Sequence, residues 1–382
     1  MRVGIDYRSA LVNREGIGRY TRELVRGMIE EGFGGNLGLF GYTLAKSKFS
    51  KDELGISGTN AELLRLRMPS RWIPKMLSML GKGVDDLVGG AHVYHHTQPH
   101  LLAVREAIEV STIFDTIYTL DVGFLSTEAG EHMTRVAKEM VARSKRILVP
   151  CEYVGAEVVM SLGAHPGRVS ITSLGCDHIA RDLPPEGFGP ASEPYLLTVS
   201  RVDARKNHLR MLTAFERLKS EGYEGRWLIA GPPGHGCEVF ERALAESPAR
   251  QFVEWRRFVS EAELPKLYSQ ADVFLFCSLN EGFGLPPLES MVCGTPVVSS
   301  CVTSLPEICG DAAFLVEPTD TERIFEATRR ILAEPDLAAN FVRKGREQAR
   351  KFTWRQCARD TLLAYQGATQ AGDEEPQLKR SL

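Results

Sequence analysis

Short apolar runs alternate with amphipathic helical periods along this chain, and a single break in composition divides the pattern in two. Runs such as RVGID, STIFD and RILVP have strand length, while IGRYTRELVRGMIEEG and EHMTRVAKEMVARS place apolar residues at helical spacing. Such alternation implies parallel sheets, because parallel neighbours must be joined by a crossover. The break, ARDLPPEGFGPASEP, is rich in Pro, Gly and acid and has no apolar period. The alternation then resumes with YLLTVS, RWLIAG, QFVEW, DVFLFCS, TPVVSS and AAFLVEP as strands. The expected fold class is α/β: two doubly wound, Rossmann-like domains over 1–180 and 195–352, a linker at 181–194, and a C-terminal helix with a frayed tail over 353–382. Paired sheets of this kind leave a cleft at their carboxyl ends. Helix starts are expected at the capping-box pairs Ser260 with Glu263, Thr319 with Glu322, and Thr353 with Gln356.

The length of 382 residues suits two domains rather than one core. A net charge of -3 provides no global attraction to nucleic acid, so no nucleic-acid partner is expected. The start MRVGIDYRSA lacks the charged and apolar regions of a secretory signal, and no apolar run reaches bilayer length. A cytoplasmic protein is expected, with a contact at the inner face of the cytoplasmic membrane left open. Eight cysteines are scattered without a Cys-x-x-Cys pair, so they read as reduced, buried thiols and no metal site is expected.

The richest segment is SLNEGFGLPPLESMVCGTPVV, which follows an apolar strand and enters a helix with Pro286 and Pro287 in its first turn. Gly282, Phe283, Gly284 and Leu285 then lie at a helix N-terminus, where unpaired N–H groups attract an anion. Glu281 precedes the helix and Glu289 sits about one turn inside it. Each carboxylate can accept hydrogen bonds from paired hydroxyls. A second strand-to-helix turn, RVDARKN, offers Arg201 and Lys206 to neutralise two phosphates, with Arg205 as an alternative to Arg201. A third, Glu15-Gly16-Ile17-Gly18 before a helix, is a weaker anion-site candidate because it lacks the dinucleotide spacing.

Together these segments resemble the retaining glycosyltransferases of the GT-B fold, the group 1 family with its Glu-x7-Glu motif, and bacterial mannosyltransferase-like members most of all. The similarity runs through GIDYRSALVNREGIGRYTREL, LTVSRVDARKNH, EGFGLPPLE and SLPEICGDAAFLVEP. It implies an N-terminal acceptor domain, a C-terminal nucleotide-sugar domain, and a last helix packed back on the first domain. It implies a nucleotide diphosphate sugar as donor, GDP- or UDP-linked, and no cofactor. Mannose from GDP-mannose is the first expectation, and a glycan or lipid-linked glycan is the acceptor. Arg201 and Lys206 would hold the diphosphate, aided by backbone at Phe283, Gly284 and Leu285. Gly16 and Gly18 would lie against the donor phosphates, Glu281 would bind sugar hydroxyls, and Glu289 the ribose.

The chain departs from the family at Phe114-Asp115, where relatives often carry His-Asp and use the His near the donor sugar. Phe cannot make that hydrogen bond. Asp115 remains a cleft carboxylate, and His95, His96 and His100 are acceptor-side candidates. A retaining front-side mechanism lets the departing phosphate take the acceptor proton, so a protein base is not obligatory. The segment from Glu62 to Gly83 mixes Arg and Lys with Leu, Met and Trp, and reads equally as a contact with anionic membrane or as a loop and helix packed on the first sheet. Rival readings are a nucleotide-sugar hydrolase or epimerase, or a nucleotide-sugar-binding protein without turnover.

Overall fold

The computed structural model describes residues 1–14, 16–120, 123–184, 187–189 and 191–370. Glu15, part of the expected linker and the expected frayed tail beyond residue 370 lie outside the described residues. Seven parallel strands form the first sheet: β1 (Val3–Asp6), β2 (Leu37–Tyr42), β3 (Glu62–Leu66), β4 (Val93–His96), β5 (Ile108–Thr112), β6 (Arg146–Val149) and β7 (Val169–Ile171). Six more form the second: β8 (Tyr195–Val199), β9 (Arg226–Ala230), β10 (Val253–Arg256), β11 (Val273–Phe276), β12 (Val297–Ser300) and β13 (Phe314–Val316).

The spatial orders are β3-β2-β1-β4-β5-β6-β7 and β10-β9-β8-β11-β12-β13. Both are the doubly wound order, so each sheet has a switch point, between β1 and β4 and between β8 and β11. There the flanking crossovers diverge to opposite faces and leave a crevice at the carboxyl ends. The residues just beyond those strand ends are Tyr7, Arg8, Thr97 and Gln98 in one sheet, and Ser200, Arg201 and the loop to Glu281 in the other. Both sheets are covered by helices, so their central strands are buried on both faces, without alternation.

The strand expected at STIFD lies earlier, at Ile108–Thr112, so Phe114 and Asp115 occupy the loop at its carboxyl end. The segment from Glu62 to Gly83 provides an edge strand, β3, then the helix Ile73–Leu80 with Ile73 and Leu77 buried against the first sheet. Ser260 does bond to Glu263 through its backbone N–H (3.0 Å), but the helix begins at Leu264, next to Pro265. The cap of helix Thr321–Ala333 is Asp320, which accepts from Arg323 N at 3.0 Å, while Thr319 turns to Glu317. Thr353 caps the last helix as its spacing suggests, accepting from Gln356 N at 3.1 Å.

The chain passes between the two sheets twice, and the two crossings touch. Cys176 N donates to Phe352 O at 3.0 Å, and Asp177 Oδ1 accepts from Trp354 N at 2.8 Å. A Cβ on Gly175 would sit 2.1 Å from Trp354 N, so only glycine lets the strands of the connection approach this closely. The last helix, Trp354–Gln370, then lies against the helix Ile17–Glu30, where a Cβ on Gly27 would come within 2.7 Å of Trp354 O. Gly175→Ala should therefore separate the crossings and lower stability by about 1–3 kcal/mol. A thermal melt matching the parent's would show that the contact is not tight.

Candidate active site

The loop after β11 is positioned by two glycines for two different reasons. Gly284, the cap of helix Leu285–Cys293, has φ 110°, and a Cβ there would meet Leu305 Cδ2 at 2.6 Å. Gly282 abuts the other domain: a Cβ would lie 2.0 Å from Phe114 O. Among the described residues, the N–H groups of Gly282, Phe283 and Gly284 make no hydrogen bond, so this helix end keeps free donors.

Glu281, 7% exposed, is held by cations from the turn after β8. Its Oε2 accepts from Arg205 Nη1 at 3.0 Å and its Oε1 pairs with Lys206 Nζ. Burial pushes this carboxyl up, but Lys206 and Arg205 pull it further down, to about 2, so Glu281 is ionised. The turn is rigid because Asp203 caps it through Lys206 N (3.1 Å) and Asn207, at φ 61°, donates to Cys277 O and Pro318 O at 2.8 and 2.7 Å. This geometry directs residues 205 and 206 at Glu281. Arg201, expected beside Lys206, instead lies exposed along the loop at Gly234, and Arg205 takes the place next to Glu281.

Two residues that the sequence did not single out hold Glu281 from behind. Thr303 has φ 57°, a conformation that a β-branched residue rarely adopts, and its Oγ1 accepts from Glu281 N at 3.1 Å. Ser304 Oγ lies within 3.0 Å of Glu281 O and 2.9 Å of Phe283 O. Nothing in the sequence SSCVTSLPE marks Thr303 as left-handed.

Glu289, expected at the ribose, lies buried behind the helix end. Its side chain is 2% exposed and its oxygens are engaged by the protein: Arg19 Nη1 at 2.7 Å, His178 Nε2 at 3.0 Å and Tyr268 OH at 2.8 Å. A ribose cannot reach it while Arg19 is in place. Arg19 comes from the first domain, 270 positions away in the chain, and no local signal announces the pair. Arg19 and Arg22 also face Glu261 at 3.5 and 3.2 Å.

On the first domain, Asp115 lies opposite Glu281 and Arg205; burial pushes its carboxyl up, and Arg205 opposes that shift. Phe114 packs edge-on against Tyr20, with centroids 4.8 Å apart, which explains an apolar ring at this position. Gly16, at φ 52°, faces open space at the start of its helix. Gly18 is required by the chain itself, since a Cβ would lie 2.1 Å from Asn13 O, so its smallness is not spent on a ligand. His95 and His96, expected on the acceptor side, are buried within β4. His95 sits between Tyr365 OH and Thr112 Oγ1, each at 2.7 Å, and burial pushes it down to about 3. His96 Nε2 pairs with Glu109 at 2.8 Å. Both are structural because β4 is a central strand. Half-buried His100 reaches Tyr42 OH at 2.9 Å. Among the described residues, no group of three or more His, Cys, Asp or Glu side chains could hold a metal ion.

Residues 182–348 match the family described as Glycosyl transferases group 1. O-antigen chain mannosyltransferase B of Escherichia coli is 31% identical over 242 residues, 61% of this chain and 64% of that protein. MMP alpha-(1->4)-mannosyltransferase of Mycolicibacterium hassiacum is 34% identical over 243 residues, 62% of this chain and 57% of that protein. The matched stretch thus spans less than two thirds of either relative's length. Among solved structures, sucrose-phosphate synthase from Thermosynechococcus elongatus superposes with a TM-score of 0.73 at 20% identity, over 97% of this chain and 100% of the other. Anabaena HepE in complex with UDP and glucose gives a TM-score of 0.72 at 12% identity, over 96% and 100%. These likenesses show the GT-B fold.

Glu281 and Glu289 are both held near 2 against an ordinary value of 4.5. A carboxyl depressed by folding contributes stability above its unfolded pKa and loses it as pH falls through the folded one. The melting temperature should therefore drop steeply between pH 4.5 and about 2, and Glu281→Gln should flatten part of that drop. An unchanged pH slope in the variant would remove Glu281 from the account.

Proposed function

We propose that this chain, whose residues 182–348 match the family described as Glycosyl transferases group 1 and whose fold is GT-B, is a retaining hexosyltransferase drawing on a nucleotide diphosphate sugar. The observation that carries this reading is Glu281, kept ionised between Lys206 and Arg205 at a helix end with free N–H groups, facing Asp115 across the cleft. Mannose from GDP-mannose is the first donor to test, a choice supported by relatives named as mannosyltransferases.

In this mechanism Lys206 and Arg205, joined by Arg201 from its exposed position, neutralise the diphosphate as the glycosidic bond breaks. The N–H groups at Phe283, Gly284 and Leu285 donate to the phosphate oxygens on the same side, with Gly16 opposite. Glu281 and Asp115 hold sugar hydroxyls and fix the reacting face, and the departing phosphate takes the acceptor proton. Glu289 takes ribose hydroxyls where they displace the Arg19 guanidinium. Backbone at 257–259, beside the exposed ring of Phe258, reads the base. Domain closure then excludes water.

A glycan or lipid-linked glycan is the acceptor in this reading, and the place of action is the cytoplasm. No described helix is long and apolar enough to cross a membrane. A peripheral contact with the anionic inner face is supported by Trp72, Met79 and Leu80, exposed at 57, 78 and 56% beside Arg71, Lys75 and Lys82. Co-sedimentation with anionic vesicles that fails at every salt concentration would remove that contact.

Nucleotide release from a panel of nucleotide sugars, with NMR of the product anomer, tests the main proposal. An inverted anomer, or binding without release under any acceptor, would overturn it. Glu281→Gln should slow turnover about 100-fold. Thr303→Gly should cost about tenfold in turnover through the lost hold on Glu281, yet not lower the melting point, since roughly 1–3 kcal/mol of backbone strain is relieved. Thr303→Ser should keep both, and a fully active Thr303→Gly would dismiss Thr303 as a positioning residue.

A further inference from the structure

A cavity of about 360 Å³ opens at the carboxyl ends of β1 to β3, lined by Arg8, Tyr42, Thr43, Leu44, Pro69 and Arg71. That volume suits a small polar ligand. The cavity flanks the β1–β4 switch point, where an open sheet of this order holds ligands. It belongs to the first domain, whereas Lys206 and Arg205 of the second domain are already assigned to the donor diphosphate.

Its charge is one-sided. The lining carries Arg8 and Arg71 and no Asp or Glu. Elsewhere on this domain Arg26 and Arg143 each pair with a carboxylate. Arg8 and Arg71 make no ion pair among the described residues, and Arg8 Nε is buried without a partner. The nearest carboxylate, Asp6, is spent on Gln98 Nε2 at 2.9 Å, Tyr42 OH at 3.3 Å and the backbone N–H of Arg8 at 3.1 Å, leaving the guanidinium over the Tyr42 ring.

We propose that this cavity binds a phosphoryl group carried by the acceptor. Arg8 and Arg71 act as planar forks on its oxygens, and the hydroxyls of Thr43 and Ser70, also in the lining, donate from the rim. The inference rests on the transferase reading, since it assigns the first domain's anion site to the acceptor. The shared chemistry is a phosphate ester or diphosphate, borne either by a soluble sugar phosphate or by a lipid headgroup.

The test titrates the full chain, saturated with GDP to fill the donor side, with inorganic phosphate and mannose 6-phosphate, and separately with phosphatidylglycerol against phosphatidylcholine vesicles. Binding that persists under GDP, weakens at least about tenfold in Arg71→Gln and is lost in Arg8→Gln with Arg71→Gln supports the site. The arm that responds names the source. Arg71 is exposed, so Arg71→Gln and Arg71→Glu carry the test even if the double variant fails to fold. Wild-type affinity in both single variants, no binding in either arm, or competition between phosphate and GDP would overturn the proposal. GDP affinity measured on the same variants reports on the cleft alone, so failure of the transferase reading shows separately.

Discussion

The buried carboxylate of Glu289 holds the two domains and their connection in one arrangement. It accepts from Arg19 of the first domain, His178 of the connection and Tyr268 of the second domain. His178 in turn accepts from Trp354 Nε1 at 3.0 Å, which ties the returning helix to the same point. A buried ionic cluster is stable only when each partner is satisfied, and removing one leaves a charge that costs several kcal/mol. Because Arg19 belongs to the first domain, the cluster holds the two domains together and gives way only when a competing ligand or hydroxyl replaces the guanidinium.

The contact between the domains reaches the loop of Glu281 through backbone. Phe114 O against Gly282 and Cys151 Sγ donating to Gly282 O at 3.2 Å press the first domain onto the loop that carries Glu281. Glu307 crosses the other way and accepts from Glu152 N and Tyr153 N at 2.9 and 3.1 Å, at the start of helix Glu152–Leu162. The loop is thus fixed from three sides: by the first domain, by Thr303 and Ser304, and by the cationic turn at 205–206. Strain at Thr303 persists because the surrounding bonds over-determine it. Asp115 joins this set because β5 ends at Thr112, three residues before it.

Much of the fold was legible because it rests on periodicities. Pro286 in a first helical turn, Gly284 and Gly294 at the helix ends and the run of apolar strands follow from local sterics, and they placed Glu281 beside a helix end. Two strands escaped: Leu37–Tyr42 is interrupted by Gly38 and Gly41, and Glu62–Leu66 is an edge strand whose charges resemble a surface segment. Of the candidate site, Glu281, Lys206 and Asp115 come together. Arg205, the alternative to Arg201, is the arginine beside Glu281, because the cap at Asp203 sets the turn's direction. His95 and His96 read as cleft residues only because a histidine's burial has no signature in a single sequence.

By itself, then, the sequence determined what neighbours in the chain decide: parallel strands, two doubly wound sheets, the glycines and prolines that shape a helix end, and the residue types gathered there. Tertiary structure alone decided which charges meet. Glu281 and Glu289 lie eight residues apart with the same chemistry, yet one faces the cleft between Lys206 and Arg205 and the other is sealed beneath it by Arg19. The reason is physical: the state of a carboxylate depends on burial and on cations within a few ångströms. Those cations arrive from positions 75 and 270 residues distant, where no local pattern records them.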